Sequence, residues 1–387
     1  VQRLSGCHIV ALDTESNSLY TYTDRVCLIQ ISIPGGDYLV DPLALTDLAD
    51  LGEILADPAI EKVFHDAKYD VMGLRRDFGF TLNNIFDTMV ASRILGWRKY
   101  GLASILEERF GVTLNKRWQR ANWARRPLPP EQLRYACLDS HYLLALREEQ
   151  HGELVARGRY QEAREAFERQ TKARWTKGGF DPEGFWKVKG ARDLDGRGLA
   201  ALKELYALRD GEAKKRDYPP FKVIPNAVLL ALSSELPGSW EELSRVEALT
   251  PRLRQRYGRS LLEALKRAED QPVPTRPKRN RSRLDEEAEA RFEALKAWRK
   301  VEAERRGVEP DVVIPNEDLW QVARRGPHDM AALRATGALG PWALESYGEE
   351  IVAVLAGARR APRRGRRRRA GKPPGSKGTT GENSPPG

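Results

Sequence analysis

Apolar residues open the chain in two short blocks, HIVALD at 8–13 and VCLIQISI at 26–33, aliphatic and β-branched and too short for buried helices. Each predicts a buried strand, and the polar, turn-like stretch 21–24 between them allows an antiparallel pair. A third strand is predicted at 38–40, a helix at 45–55 and a short strand at 62–64. Helical periodicity then governs 69–78, 88–95, 102–110 and 130–149, the last entered through Pro129 and Pro130, where proline suits a first turn. Strands first and helices after predict an α/β domain with a mixed sheet flanked by helices.

Beyond about residue 180 helix formers and charges dominate, and the chain repeats itself. At an offset of 90, Leu205 falls on Leu295, Arg209 on Arg299, VIPN at 223–226 on VIPN at 313–316, Leu229 on Leu319, and Tyr257 on Tyr347. A gap-free register of this kind predicts two copies of one all-α unit. The expected division is a first domain at 1–175, helical domains at 195–270 and 284–357, a Pro- and Arg-rich linker at 271–283, and a disordered basic tail at 358–387.

A chain of 387 residues suits two or three domains. The net charge is +10. It is concentrated in two segments: eight Arg and two Lys against one Glu in 358–387, and five cations without an acid in 271–283. The rest of the chain is mildly acidic, so the charge supports salt-dependent contact with polyanions only weakly. No apolar run approaches the roughly 20 residues of a membrane span, and no signal-peptide pattern opens the chain, which is read as intracellular. Cys7, Cys27 and Cys137 lack the paired spacing of a zinc site or a disulfide framework and are expected as reduced thiols.

Chemistry concentrates in carboxylates. Asp13 and Glu15 flank Thr14 where the first strand is expected to end, so both project from one face. Two parallel carboxylates can clamp a divalent cation, although such a pair alone is more often a solvated strand end. Asp70 closes VFHDAKYD, a short strand running into a helix. Tyr135 and Asp139, four apart in YACLD, share one face of a long helix.

These segments resemble the three motifs of the DEDD exonuclease superfamily, in its branch with a tyrosine in the third motif. The resemblance rests on ALDTESNSLYTYTDRVCLIQIS at 11–32, VFHDAKYD at 63–70 and QLRYACLDSHYLL at 132–144. FDTMVASRILG at 86–96 and NWARRPLPPEQLRYA at 122–136 are similar to ribonuclease D, and the two repeats resemble HRDC domains. The resemblance implies a ribonuclease H-like exonuclease domain followed by two HRDC-like domains. It implies a 3′–5′ exoribonuclease that releases nucleoside 5′-monophosphates from RNA with a free 3′ end, tRNA precursors included, and that works as a cytoplasmic monomer without a membrane.

Asp13, Glu15, Asp70, Tyr135 and Asp139 are then the catalytic residues, and the four carboxylates hold two Mg²⁺ or Mn²⁺ ions about 4 Å apart. By the same resemblance Asp13 bridges both ions, Glu15 and Asp139 complete one site, and Asp70 helps to hold the other. Tyr135 orients the attacking water or accepts its proton. Oxygen donors suit these hard ions, whereas the few His and scattered Cys do not favour zinc. A free-standing 3′–5′ DNA exonuclease uses the same motifs and stays open. An inactive nucleic-acid-binding scaffold is disfavoured, because all five positions are filled.

Further candidates have two readings each. Leu19 follows the first motif, where the family packs an apolar residue against the terminal base, or it is ordinary packing. His65 touches substrate or is a hydrogen-bonded structural histidine. Trp118 and Trp123, interleaved with Arg117, Arg120, Arg125 and Arg126, suit base stacking and phosphate contact, or the two indoles are core. Asp87 is read as a helix N-cap rather than a further ligand. Lys214, Lys215, Arg216, Arg305 and Arg306 meet phosphates or are solvated helix ends.

Overall fold

The computed structural model describes residues 3, 4, 6–174, 179–275 and 283–360. The predicted basic tail beyond residue 360 and most of the predicted linker, 276–282, lie outside the described residues.

The first unit carries a five-stranded sheet of order β3-β2-β1-β4-β5. Its strands are β1 (Ile9–Ser16), β2 (Val26–Ile33), β3 (Gly36–Val40), β4 (Glu61–Phe64) and β5 (Ile85–Asp87). β2 runs antiparallel to β1 and β3, whereas β4 is parallel to β1 and β5, so the sheet is mixed. The helices are α1 (Ala49–Ala56), α2 (Lys68–Phe78), α3 (Thr88–Leu95), α4 (Leu102–Phe110), α5 (Pro130–His141), α6 (Leu143–Ala156) and α7 (Tyr160–Thr171).

Alternation along β1 divides the core. Val10 and Leu12 pack with Val71 and Leu74 of α2 and Ile54 and Leu55 of α1, while Ala11 packs on the other side with Leu143, Leu146 and Phe167. Asp13 and Glu15 continue the Ala11 face, towards α5 and α6.

Several expectations shift. The first strand continues through Ser16 and bulges between Glu15 and Ser16, so the acids sit within a paired strand rather than beyond its end. The helix expected at 45–55 starts at Ala49, because residues 41–45 form a turn in which Leu43 N donates to Asp41 Oδ1 at 3.0 Å, and Ala49 N donates to Asp47 Oδ1 at 2.8 Å. The helix expected at 130–149 is broken at Tyr142 into α5 and α6. β5 and α7 had no counterpart in the expectation.

Each repeat folds into a small helical unit: α8 (Gly196–Arg216), α9 (Pro220–Val223), α10 (Asn226–Glu235), α11 (Trp240–Arg245) and α12 (Pro251–Glu269), then α13 (Arg283–Arg306), α14 (Pro310–Val313), α15 (Asn316–Arg325), α16 (Met330–Ala335) and α17 (Pro341–Arg360). Leu205, Leu229, Leu243, Tyr257 and Leu261 form one core, and Leu295, Leu319, Leu333, Tyr347 and Ile351 form the other. The repeated VIPN has a physical reason. Buried Arg209 donates to Ile224 O at 3.3 Å and Asn226 Oδ1 at 2.6 Å, and Arg299 donates to Ile314 O and Asn316 Oδ1, both at 2.7 Å. Each arginine thereby closes the short helix onto the long one and satisfies a backbone carbonyl that packing has taken from water.

Both repeats touch the first unit. Tyr22, on the loop after β1, places its hydroxyl 3.0 Å from both Asp210 carboxylate oxygens, and its backbone N donates to Asp217 Oδ1 at 3.0 Å. The second repeat docks on α3 and α7, where Arg306 meets Glu162 at 2.5 Å, Arg93 meets Glu309 and Asp311 at 2.7 Å, and Arg169 meets Asp318 at 2.8 Å. Among the described residues no helix is long and apolar enough to cross a membrane.

Candidate active site

Three elements bring the five motif residues together. β1 presents Asp13 and Glu15, and α5, packed across β1, β2 and β3, presents Asp139 with Tyr135 one turn before it. Ligand oxygens of Asp13, Glu15 and Asp139 lie within 4.8 Å of one another. Asp70, in the first turn of α2, comes from the opposite face, where Thr14 Oγ1 donates to its Oδ1 at 2.5 Å. Thr14 points to that face because it alternates with Asp13 and Glu15, so one tripeptide supplies two acids to one side and an anchor for the third to the other.

The turn that launches α2 is held by Asp87. Its carboxylate accepts from Asp66 N at 3.1 Å and Ala67 N at 2.9 Å while capping α3 through Met89 N and Val90 N. Asp66 sits at φ 65°, in the left-handed region, and these bonds oppose that strain. Asp87 is thus the expected N-cap and also a positioning group for Asp70. Desolvation pushes it up to about 6, against its four backbone donors.

The carboxylates are crowded, Asp13 and Glu15 half-buried and the other two more deeply so. Asp70 and Asp139 are 7% and 6% exposed. Desolvation, then repulsion from neighbouring acids, raises Asp13, Glu15 and Asp70 well above the usual carboxylate range, and desolvation pushes Asp139 up to about 8. Among the described residues no Lys, Arg or His pairs with any of the four. An all-oxygen set without a neutralising side chain fits hard divalent cations.

A stability effect follows from the sign of the Asp139 shift. Between its ordinary 3.8 and about 8, the folded chain holds a proton that the unfolded chain has released, so stability falls as pH rises through that window. Asp139→Asn removes this cost. Its melting midpoint, in chelator, should climb relative to wild type from pH 4 to 8, by about 2–4 °C for each kcal/mol gained. Mg²⁺ or Mn²⁺ should close the gap, and a difference independent of pH would contradict the assignment.

Tyr135 is packed near Trp123, with ring centroids 6.3 Å apart, and its hydroxyl lies near enough to the Asp139 carboxylate for each to affect the other's protonation. Desolvation first, then Asp139, Glu15 and Asp13, raise the phenol far above its ordinary pKa, so it holds its proton at neutral pH.

The other candidates separate. Leu19, 37% exposed, lies on the loop after β1, and Arg125 is exposed. Trp123 is 1% exposed and packs with Leu106, Leu114 and Tyr135, so it is a core indole without a face for a base. Arg126 is a structural clamp: it grips Asp41 through two 2.6 Å bonds and donates to Cys27 O and Trp123 O. His65 places Nδ1 2.9 Å from Thr88 Oγ1, and burial pushes it down to about 4, so it is neutral at pH 7 and offers phosphate no charge. Thr14 escaped the sequence reading, since a threonine between two acids carries no signal until the strand face is known.

Residues 1–153 match the family described as 3′-5′ exonuclease, and residues 198–265 and 288–355 each match the HRDC domain. The ribonuclease D of Nitrobacter hamburgensis is 28% identical over 358 residues, 92% of this chain and 92% of that protein. The chain thus carries a 3′-5′ exonuclease domain followed by two HRDC domains and is similar to bacterial ribonuclease D over nearly its whole length. A solved structure of Escherichia coli RNase D, described as an exoribonuclease involved in structured RNA processing, is 26% identical with a TM-score of 0.63, covering 92% of this chain and 95% of that one. The Trypanosoma brucei RRP6 catalytic core is 29% identical with a TM-score of 0.64, covering 69% of this chain and 76% of that one. Exosome complex component 10 of Mus musculus is 37% identical over 244 residues, 61% of this chain. The chain spans only 28% of that relative's length. The ribonuclease D organisation also accounts for the repeat: the two HRDC matches are offset by the 90 residues at which the sequence aligns with itself.

Proposed function

We propose that the protein is a metal-dependent 3′–5′ exoribonuclease that shortens RNA from a free 3′ end, tRNA precursors among its substrates, and releases nucleoside 5′-monophosphates. The observation that carries this reading is the convergence of Asp13, Glu15 and Asp139 within 4.8 Å, with Asp70 anchored beside them by Thr14. The similarity to ribonuclease D over nearly the whole chain supports RNA over DNA as the substrate.

Asp13, Glu15, Asp70 and Asp139 would hold the cations. Bound there, Mg²⁺ or Mn²⁺ would supply activation of water and charge stabilisation on the attacked phosphate. The protein's own part is to fix these oxygens on a strand and on two helices packed against its sheet, and to keep competing cationic side chains away. Tyr135, protonated and beside Asp139, is suited to orient a water by donating to it rather than to act as a base. Tyr135→Phe is expected to lower kcat roughly 10²-fold, with little change in the Mg²⁺ concentration that half-stabilises the fold. A parallel loss of cation binding would show that the phenol serves the ligands instead.

Product analysis tests the reading directly. Linear RNA with a 3′ hydroxyl should yield nucleoside 5′-monophosphates, and circular RNA of the same sequence should survive. Degradation of the circle would replace the exonuclease reading with an endonuclease.

A further inference from the structure

The two helical repeats share a fold, yet the same corner of each, where the first long helix turns into the short one, meets different surroundings. In the second repeat the corner is acidic and closed: Glu309 and Asp311 grip Arg93, and Val312 packs against the first unit's core. In the first repeat the aligned positions are Pro219, Phe221 and Lys222, and the corner is open. Tyr218 and Phe221 are 46% and 51% exposed.

Tyr20, five residues after Glu15, ties this corner to the catalytic unit. Lys222 Nζ lies 4.0 Å from the centre of its ring, and its hydroxyl donates to Arg120 O at 2.6 Å. Arg120 ends the short segment Lys116–Arg120, in which the Arg117 guanidinium lies 4.7 Å from the Trp118 ring. Lys116, Arg117, Arg120, Lys214 and Lys222 are exposed, and among the described residues none has a carboxylate partner. The nearby acids are engaged: Asp210 takes the Tyr22 hydroxyl, and Asp217 takes the backbone of Tyr22 and Thr23.

We propose that Lys116–Arg120, Tyr20 and the Tyr218–Lys222 corner of the first repeat form one track that holds single-stranded RNA on its way to the carboxylates, while the second repeat is a structural dock. This rests on the exoribonuclease reading. Cations spaced along the track meet phosphates, and exposed rings stack on bases without reading sequence. Five residues of chain limit the Cα separation of Tyr20 and Glu15 to about 18 Å, so the track opens beside the active site. The division of labour follows from the two corners: one keeps its cations free, and the other spends its acids on Arg93.

The test uses the full-length chain with Lys222→Gln and Arg117→Gln combined. Binding of a labelled single-stranded RNA of about 12 nucleotides is measured across salt concentrations in an Asp139→Asn background, and hydrolysis of that RNA and of a trinucleotide is measured without it. Loss of two phosphate contacts should flatten the slope of log K against log salt by about 1.4, and should reduce kcat/KM for the longer RNA about 10-fold relative to the trinucleotide. Lys222→Arg should keep the slope, and Arg305→Gln in the second repeat should change neither quantity. An unchanged slope with unchanged length dependence would overturn the track and leave the exonuclease standing. A flattened slope in a protein that hydrolyses no RNA would support the track and sink the catalytic reading.

Discussion

Asp13→Asn is expected to reduce RNA turnover by at least about 10³-fold, equivalent to roughly 4 kcal/mol in the barrier, while the sheet keeps its fold. Asp13 sits mid-strand, paired with Gln30 of β2, so the backbone ladder survives the change. What is lost is charge at the point where repulsion is greatest: Asp13 raises Glu15, Asp70 and Tyr135 alike. The same substitution therefore removes a cation ligand and relieves strain between its neighbours. Steady-state kinetics and melting measured together should show activity falling and cation-free stability rising. A loss of both would indicate that Asp13 is structural.

The second large effect is expected at the joint with the second repeat. Glu162 and Arg306 are almost wholly buried, with side chains 4% and 9% exposed, and Arg306 also donates to the Tyr347 hydroxyl. Removing one partner strands the other's charge away from water, which typically costs about 3–5 kcal/mol. Glu162→Ala should lower the melting midpoint and speed hydrogen exchange along α7 and α14, as Arg306 regains water by undocking. Adding Arg306→Met should recover much of the loss, since it removes the charge that Glu162→Ala leaves stranded. Additive losses in the double variant would mean that the two groups do not depend on each other.

Much of this was legible in the sequence, for identifiable reasons. The repeat was visible because the same buried groups recur in one register, down to the Arg209–Asn226 and Arg299–Asn316 brackets. The carboxylates were visible because spacing of two on a strand and four on a helix fixes a shared face. β5 has three residues, too few to show a period, and α7 buries little more than Ala163 and Phe167 on its own core side, its charges being spent on the second repeat. The break at Tyr142 has no proline or glycine to announce it. Arginines and tryptophans in 117–126 looked alike in sequence, yet Trp123 is core, Arg126 is a clamp and Arg117 faces solvent, a sorting that only packing performs.

The most direct test of the central claim is a time course on 5′-labelled RNA and matched DNA, with Mg²⁺, with Mn²⁺ and with chelator. The account predicts a ladder shortening RNA from its 3′ end only when a cation is present, weak on DNA and absent in Asp139→Ala. A ladder that persists in chelator or in that variant, or none at all with either cation, would contradict it.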